Sequence, residues 1–302
     1  MPGIKRTNVL SGLTVRDASR RMVASLPESA TIEQAIRYTI KYKVNAVLIT
    51  DDAREALGVV SKTDLMTAYY AGLPTASSLR QIMVGPPLFC RVHDPLDSAL
   101  DIMFSNRVHR LYVHEQGNDP NHAVGVLAYP DIVGLLYRYC HRCERSVGRT
   151  KRLQPGEEDM ETLTAMEVMT PSVEAYGEHS TLLEVMEGLA AHRFGAVLIH
   201  DKDRLPVGVI SKTDLMIAYK RGVPVDAPAG RIMNGPVLSC EHGDPLVSAI
   251  RKMIFSDVHR LFVHKNIPEN IVGVLSLSDA ARVRSGCCRA CVTGRIRVED
   301  GM

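Results

Sequence analysis

A serine and an aspartate three positions apart form the most chemically capable pattern in this chain. Three complete pairs follow a glycine and a short apolar run: Ser61 with Asp64, Ser211 with Asp214, and Ser276 with Asp279. A hydroxyl near a helix start can bond a phosphate, and a carboxylate there can accept hydrogen bonds from both hydroxyls of a ribose. The same residue types also make a good helix N-cap, so capping alone is an alternative to ligand binding. A fourth copy keeps Asp131 but has Ala128 in place of the serine and Pro130 before the acid, which predicts a weakened or lost site.

A histidine followed by an arginine forms a second recurring pattern, at His109 and Arg110 and again at His259 and Arg260. Arginine offers a planar fork of N–H donors, and histidine offers a donor whose charge depends on pH. The equivalent positions in the other two copies are uncharged, at Asn45-Ala46 and Gly195-Ala196. A cleft with one uncharged and one cationic wall favours a phosphorylated ligand over a positively charged one such as S-adenosylmethionine. Pairing of these side chains with surface acids is the alternative.

Cysteines form a third pattern, with two Cys-x-x-Cys pairs, at Cys140 and Cys143 and at Cys288 and Cys291. Four such thiolates can hold a tetrahedral Zn2+ ion, which we favour, or an iron–sulfur cluster. The 144 residues between the pairs exceed the usual zinc-ribbon spacing, so redox pairing within each Cys-x-x-Cys and unliganded thiols are alternatives. Arginines crowd both pairs, which is compatible with nucleic-acid binding or with a solvated basic face. Cys90 and Cys240 are predicted to lie in the core.

These residues belong to an internal repeat, which decides how the chain folds. Two motifs recur with an offset of 150 residues: GVVSKTDLM at 58–66 returns as GVISKTDLM at 208–216, and VHRL at 108–111 returns at 258–261. Each half divides again, because GVLAYPDI begins at Gly125 and GVLSLSDA at Gly273. Every copy runs from an amphipathic segment through two short apolar runs to a second helical stretch. The sequence therefore predicts an α/β (α+β) fold of four β-α-β-β-α repeats, in which adjacent repeats pair because a unit of about 60 residues is marginal alone.

The repeat also sets the predicted boundaries along the chain. They are repeat 1 at 14–75, repeat 2 at 78–139, a Cys-x-x-Cys segment and linker at 140–163, repeat 3 at 164–225, repeat 4 at 228–286, and a Cys-x-x-Cys tail at 287–302.

The four copies resemble the cystathionine-β-synthase (CBS) domain family over roughly residues 14–286. The resemblance rests on four Gly-h-h-[Ser/Thr]-x-x-Asp-type motifs at repeat spacing, where h is apolar, and on VRDAS and AMEVM at the starts of repeats 1 and 3. It implies two Bateman modules of two repeats each, whose clefts bind AMP, ADP, ATP, S-adenosylmethionine or similar ligands. It also implies that the Ser/Asp pairs contact phosphate and ribose and that the His-Arg pairs meet the phosphates. The Cys-x-x-Cys pairs lie outside what the resemblance predicts.

Composition and missing motifs narrow the class of function. The 302 residues are 45% hydrophobic with a formal net charge of +2, which is typical of a globular protein. The chain has no signal-peptide pattern and no apolar stretch of about 20 residues, so we expect a cytoplasmic protein without a membrane partner. It has no P-loop, nucleophile elbow or HExxH motif, and the repeats leave no catalytic domain.

We therefore expect a non-catalytic regulator that senses AMP, ADP or ATP, signals to an unidentified protein and forms a homo-oligomer. The alternative is a metal- or redox-responsive nucleic-acid-binding regulator that uses the Cys-x-x-Cys pairs. An enzyme is expected only if the four thiols hold a redox cluster.

Overall fold

Four copies of one small α/β unit follow each other along the chain. The computed structural model describes residues 10, 12–115, 121–138 and 163–283. Repeat 1 contains α1 (Val15–Ala18), β1 (Ser25–Pro27), α2 (Ile32–Lys41), β2 (Ala46–Thr50), β3 (Ala56–Ser61) and α3 (Lys62–Tyr70). Repeat 2 contains a 3-10 turn (Leu79–Gln81), β4 (Phe89–Arg91), α4 (Leu96–Ser105), β5 (Arg110–His114), β6 (Gly125–Ala128) and α5 (129–138).

The second half has the same order of elements. Repeat 3 contains α6 (Ala165–Val168), β7 (Ala175–Gly177), α7 (Leu182–Ala191), β8 (Ala196–His200), β9 (Pro206–Ser211) and α8 (Lys212–Lys220). Repeat 4 contains a 3-10 turn (Ala229–Arg231), β10 (Ser239–Glu241), α9 (Leu246–Phe255), β11 (Arg260–Lys265), β12 (Ile267–Ser276) and α10 (Leu277–Arg282). The predicted α/β class and β-α-β-β-α unit are confirmed, with one extra short helix or turn at the start of each unit.

Each repeat has its own three-stranded sheet with the same topology. The second strand is central: it lies parallel to the first strand and antiparallel to the third. The central strand of repeat 1 is buried from Ala46 to Ile49, as a continuous apolar run predicts for a strand covered on both faces. Its neighbour β3 leads directly into α3, so each motif lies where a strand ends and a helix begins.

Local sequence signals explain where the helices begin. Thr31 caps α2, because its hydroxyl accepts a hydrogen bond from the backbone N–H of Gln34 at 3.2 Å and Gln34 Oε1 accepts one from the backbone N–H of Thr31 at 2.8 Å. Ile32, Ala35 and Ile36 on this helix are fully buried, as the helical period predicts.

A short segment at the start of each repeat reaches over to the other repeat of the same half. There it forms an isolated antiparallel bridge with the third strand, two residues before the motif's Ser position in repeats 1 to 4 alike. We call the reaching residues the bridge residues; from the motif of repeat 1 to that of repeat 4 they are Val84, Arg20, Asn234 and Thr170. One residue from the neighbouring repeat is therefore placed beside each motif.

The buried core joins the two halves of the chain. The sheets of repeats 1 and 2 meet at Leu48, Tyr112 and Val126, as expected for adjacent repeats. The two larger clusters instead join repeat 1 to repeat 3 and repeat 2 to repeat 4. Adjacent repeats therefore meet through their sheets and through the short helices α1 and α6, while the longer helices bury their apolar faces against the other half. Among the described residues, no helix has the length and apolar character needed to cross a membrane.

Candidate functional site

The three Ser/Asp pairs all cap the helix that follows them. In each pair the serine backbone N–H and hydroxyl both donate to Oδ2 of the aspartate; the two distances are 2.7 and 2.7 Å for Asp64, 2.7 and 2.6 Å for Asp214, and 2.9 and 2.6 Å for Asp279. The capping role is therefore present in all three complete copies of the motif. The serine hydroxyls already donate their protons to Oδ2, and capping does not use the other carboxylate oxygen, Oδ1.

In repeats 1, 2 and 3 the bridge residue determines whether that second oxygen has a partner. Asn234 donates its side-chain amide to Asp214 Oδ1 at 2.8 Å, and Arg20 Nε lies 2.8 Å from Asp131 Oδ1. Val84 beside Asp64 has no polar side chain, and within the described part of the chain Asp64 Oδ1 has no hydrogen bond or salt bridge. The four clefts thus differ in how available their carboxylates are.

In repeat 4 the bridge residue is Thr170, and the motif carboxylate meets a cation of its own repeat. Arg282 Nη1 lies 3.8 Å from Asp279 Oδ1, at the long end of the range for an ion pair. The guanidinium of Arg282 also lies over the Phe104 ring of repeat 2, 5.1 Å from its centroid. Asp279 is therefore weakly engaged compared with Asp131.

Two lysines that sequence reasoning did not select occupy the middle of the molecule. Lys62 donates to Thr213 Oγ1 at 2.8 Å, and Lys212 donates to Thr63 Oγ1 at 2.9 Å, so the two halves exchange equivalent bonds. Burial lowers the pKa of each lysine to about 8, and the charge of Arg260 contributes to both shifts. Both lysines lie inside the recurring SKTD motif, and that recurrence is the signal that could have revealed them.

The two predicted arginines reach across to the uncharged positions of the odd repeats. Arg110 Nη1 donates to the Ala46 carbonyl oxygen at 3.0 Å. The Arg260 guanidinium lies over Gly195, where an added Cβ would be 2.0 Å from Nη2. Burial lowers the pKa of Arg110, and it lowers the pKa of Arg260 to about 10. In the described ranges neither arginine forms a salt bridge with a carboxylate, so the alternative of pairing with surface acids is not what the structure shows.

The two predicted histidines lie beside these arginines. His259 Nδ1 is 3.2 Å from the Asn45 side-chain amide nitrogen, and the His109 ring meets Tyr129 edge-on with centroids 5.6 Å apart. Burial and the neighbouring cations lower the pKa of His259 to about 4 and also lower the pKa of His109. Both imidazoles are therefore neutral near pH 7 and act as hydrogen-bonding groups.

One cation from each repeat thus faces the middle of the molecule. We call them the central cations; they are Lys62, Arg110, Lys212 and Arg260. Each interacts electrostatically with one motif aspartate: Asp214 with Lys62, Asp131 with Arg110, Asp64 with Lys212, and Asp279 with Arg260. Lys62 and Lys212 are also within electrostatic range of Arg260, so the cations form a shared centre, and each has one motif carboxylate nearby.

The cysteine predictions divide into two groups. Cys140, Cys143, Cys288 and Cys291 lie outside the described residues, so the Zn2+ or iron–sulfur site and its link to nucleic acid stay predictions. Within the described ranges no group of three or more His, Cys, Asp or Glu side chains could hold a metal ion. Cys90 and Cys240 are each 3% exposed, which confirms their predicted place in the core. Burial raises the pKa of their thiols to about 12 and about 11, so both are unreactive.

Known proteins share this organisation. The family model of the CBS domain matches residues 15–71, 79–138, 165–221 and 229–286, which confirms the four predicted repeats. The CBS domain-containing protein CBSCBSPB3 of Arabidopsis thaliana is 27% identical over 150 residues, covering 49% of this chain and 26% of that protein. The chain thus spans about a quarter of the length of the curated relatives it matches.

A solved structure shows the same fold over most of this chain. The chain is similar to protein MJ1225 from Methanocaldococcus jannaschii, with a TM-score of 0.72, 14% identity, and coverage of 89% of this chain and 99% of that chain. It is also similar to the CBS domain protein PAE2072 from Pyrobaculum aerophilum complexed with AMP. That match has a TM-score of 0.37, 28% identity, and coverage of 39% of this chain and 89% of that chain.

Proposed function

This chain belongs to the CBS domain family, and we propose on that premise that it is a non-catalytic regulatory protein that senses AMP, ADP or ATP and signals to a partner protein. The observation that carries the proposal is the layout of charge. Each of the four central cations is within electrostatic range of one motif carboxylate, and every repeat supplies one cation and one carboxylate. A nucleotide matches this layout because its ribose hydroxyls are donors and its phosphates are anionic.

The cleft of repeat 1 is the one we propose as the principal nucleotide site. Asp64 Oδ1 has no hydrogen bond or salt bridge among the described residues, so it is available to both ribose hydroxyls. The Ser61 hydroxyl already donates to Asp64 Oδ2, so the phosphates are left to the central cations rather than to the serine. A positively charged ligand such as S-adenosylmethionine would meet repulsion at the same place.

The other clefts follow from the state of their carboxylates. Asp279 is weakly engaged and is proposed as a second nucleotide site. Asp214 can accept a ribose only if the Asn234 amide moves or shares its bond. Asp131 is already paired with Arg20 and is not proposed as a nucleoside site.

The shared centre provides a physical basis for sensing. Phosphate bound from one cleft changes the charge that phosphates from the other clefts meet, which couples the clefts. The four nearby cations also repel one another in the free protein, so an anion between them favours closer packing of the two halves. We propose that a partner protein reads this change in packing.

Titration calorimetry with the full chain and AMP, ADP, ATP and S-adenosylmethionine tests the proposal, with Asp64→Asn as the variant. The amide oxygen of asparagine can keep the two capping bonds, while its NH2 group replaces the free acceptor Oδ1 with a donor. Losing hydrogen bonds to a charged acceptor is expected to weaken nucleotide binding in this cleft by about 10- to 100-fold.

Asp17→Asn is the matched control. Asp17 Oδ2 accepts the Thr14 N–H at 2.7 Å and the Thr14 hydroxyl at 2.8 Å, in the same cap geometry but at the start of α1 rather than at a cleft motif. It should leave nucleotide binding unchanged. The proposal fails if no adenine nucleotide binds more tightly than about 1 mM, or if Asp64→Asn binds as the unmodified chain does.

A further inference from the structure

The cleft at the motif of repeat 2 contains a small, partly enclosed cavity. Three repeats contribute to its walls, which include Arg20, Lys43, Asn45, Arg110, Ala128 and His259. Repeat 4 closes one side, because Asp257 pairs with Lys43 and His259 meets the Asn45 amide. This cleft is the one whose motif departs from the Ser/Asp pattern.

The groups that would hold a nucleoside are absent or occupied here. Asp131 Oδ2 accepts the Ala128 backbone N–H at 2.9 Å, and Oδ1 lies 2.8 Å from Arg20 Nε. Both carboxylate oxygens therefore have partners within the protein, and Ala128 supplies no hydroxyl. A ribose would have to displace a charged, part-buried ion pair.

The cavity nevertheless carries positive charge. Arg20 is balanced by Asp131 and Lys43 by Asp257, but Arg110 has no salt-bridge partner within the described part of the chain. Burial lowers the pKa of Arg110, which shows that its charge is poorly solvated where it lies. Because His259 is neutral near pH 7, the cavity is left with one unbalanced positive charge on Arg110 and free N–H groups on two guanidiniums.

Asn45 explains why this cavity is open while the equivalent space in the second half is filled. The Arg260 guanidinium occupies the space beside Gly195 that a side chain would need. Asn45 stands at the equivalent position in repeat 1, so Arg110 cannot take the same place and bonds the Ala46 carbonyl instead. The guanidinium is thereby held at the wall of an empty space.

We propose that the repeat 2 cleft binds a free phosphate ion, a tetrahedral oxyanion, and not a nucleotide. Arg20 and Arg110 supply planar pairs of N–H donors, and Lys43 adds positive charge at the rim. Arg20 has two roles. It pairs with Asp131, the carboxylate that a ribose would need, and it presents its remaining N–H groups to the anion. This site goes beyond the nucleotide-sensing function, because it assigns a different ligand to a different cleft.

Calorimetry and phosphorus NMR with inorganic phosphate, on the full chain without nucleotide, test the proposal. We expect one bound phosphate per chain. Arg20→Gln should weaken phosphate binding at least about tenfold, because it removes a cation and leaves Asp131 unneutralised in the cleft. Asn45→Gly should weaken it as well, because Arg110 is then free to fill the space as Arg260 does.

The neighbouring exposed Arg21→Gln has the same change of charge and is the control, which should bind phosphate as the unmodified chain does. Thermal melting of all three variants verifies that they fold. The proposal is overturned if phosphate binds no more tightly than about 10 mM, or if Arg20→Gln and Arg21→Gln bind it equally.

A second titration at saturating AMP separates this site from the nucleotide sites. Phosphate should still bind, because the two ligands use different clefts, but more weakly than without AMP, because AMP phosphates near the central cations reduce the positive charge around Arg110. If AMP displaces phosphate one for one, the phosphate was occupying the tail position of a nucleotide site and the proposal is wrong. Because the first titration contains no nucleotide, its result is independent of whether Asp64→Asn alters AMP binding.

Discussion

At the scale of single residues, the four clefts differ in the partner of the second oxygen of the motif carboxylate. The capping bonds are alike in the three complete motifs, but the bridge residues Val84, Asn234 and Thr170 leave the second carboxylate oxygen in different states. Arg20 has the largest effect of the four bridge residues, because it brings a full positive charge to Asp131. One side chain contributed by the neighbouring repeat can therefore make a cleft available to a ribose or close it.

Two single residues, Lys62 and Lys212, predict how nucleotide binding depends on pH. Lys62 and Lys212 have pKa values of about 8 in the free protein, so both lose charge as the pH rises through 8. A bound phosphate favours the charged form and raises these pKa values again. Nucleotide binding near pH 8 should therefore take up protons and weaken as the pH rises above 8. Below about pH 7 both lysines are already charged and uptake should vanish.

Calorimetry in buffers of different ionisation enthalpy measures this uptake. The double variant Lys62→Met with Lys212→Met should bind nucleotide more weakly and show no uptake at pH 8. The exposed Lys202→Met is the control and should behave as the unmodified chain does. Equal binding heats in every buffer at pH 8 would contradict the prediction.

At the scale of elements, equivalent strand–helix pairs in repeats 1 and 3 carry their large residue on opposite elements. The large residue is on the helix in repeat 1 and on the strand in repeat 3. In repeat 1 the pair is Leu26 on β1 and Tyr38 on α2; at the same offset repeat 3 has Tyr176 on β7 and Gly188 on α7. The Tyr176 hydroxyl fills the space over Gly188, where an added Cβ would lie 1.7 Å from the oxygen. The helix keeps its place because its partner strand supplies the missing volume.

Gly188→Ala should therefore destabilise the protein by about 1–3 kcal/mol, because the new methyl group displaces Tyr176. Gly134→Ala on α5 is the matched control: an added Cβ meets nothing within 4 Å, and alanine should stabilise the helix by about 0.5–1 kcal/mol. Urea unfolding measures both values. Adding Tyr176→Leu to Gly188→Ala should recover most of the loss, and no recovery would show that the contact with Tyr176 is not the cause.

At the scale of the whole molecule, the two halves are related by approximate two-fold symmetry and share their helical core. Tyr69 on α3 and Tyr219 on α8 stack with centroids 4.8 Å apart. Tyr69 donates to the Val223 carbonyl oxygen, and Tyr219 donates in return to that of Leu73. The stack joins α3 to α8, the two helices that begin at Lys62 and Lys212, so the central site depends on this interface.

Because the halves share a core, the chain should unfold in a single transition. Tyr69→Ala and Tyr219→Ala should each lower the free energy of unfolding by about 3–5 kcal/mol, since each removes a buried ring and its hydrogen bond. The effects should not be additive, because the rings are in contact. Tyr70→Ala, at an exposed neighbour, should change it by less than about 1 kcal/mol. Separate unfolding of the two halves would contradict the shared core.

Much of the local structure was determined by the sequence alone. The repeats, the strand and helix order and the capping serines all rest on residues close together in the chain, and periodicity and recurrence report such short-range relations directly. The apolar face of α2 also follows the helical period at Ile32, Ala35 and Ile36, but Ile40 at the end of the same face is 37% exposed and Thr39 is buried.

Only the tertiary structure decided which carboxylates are available and where the cations converge. Arg20 meets Asp131 from more than a hundred residues away, and Lys62 meets Thr213 from the other half of the chain. Such contacts depend on how the repeats pack against each other, and a short stretch of sequence carries no information about that packing. The Ser/Asp motif is written identically in repeats 1 and 3, yet Val84 and Asn234 leave their aspartates in different states, because each bridge residue comes from a neighbouring repeat.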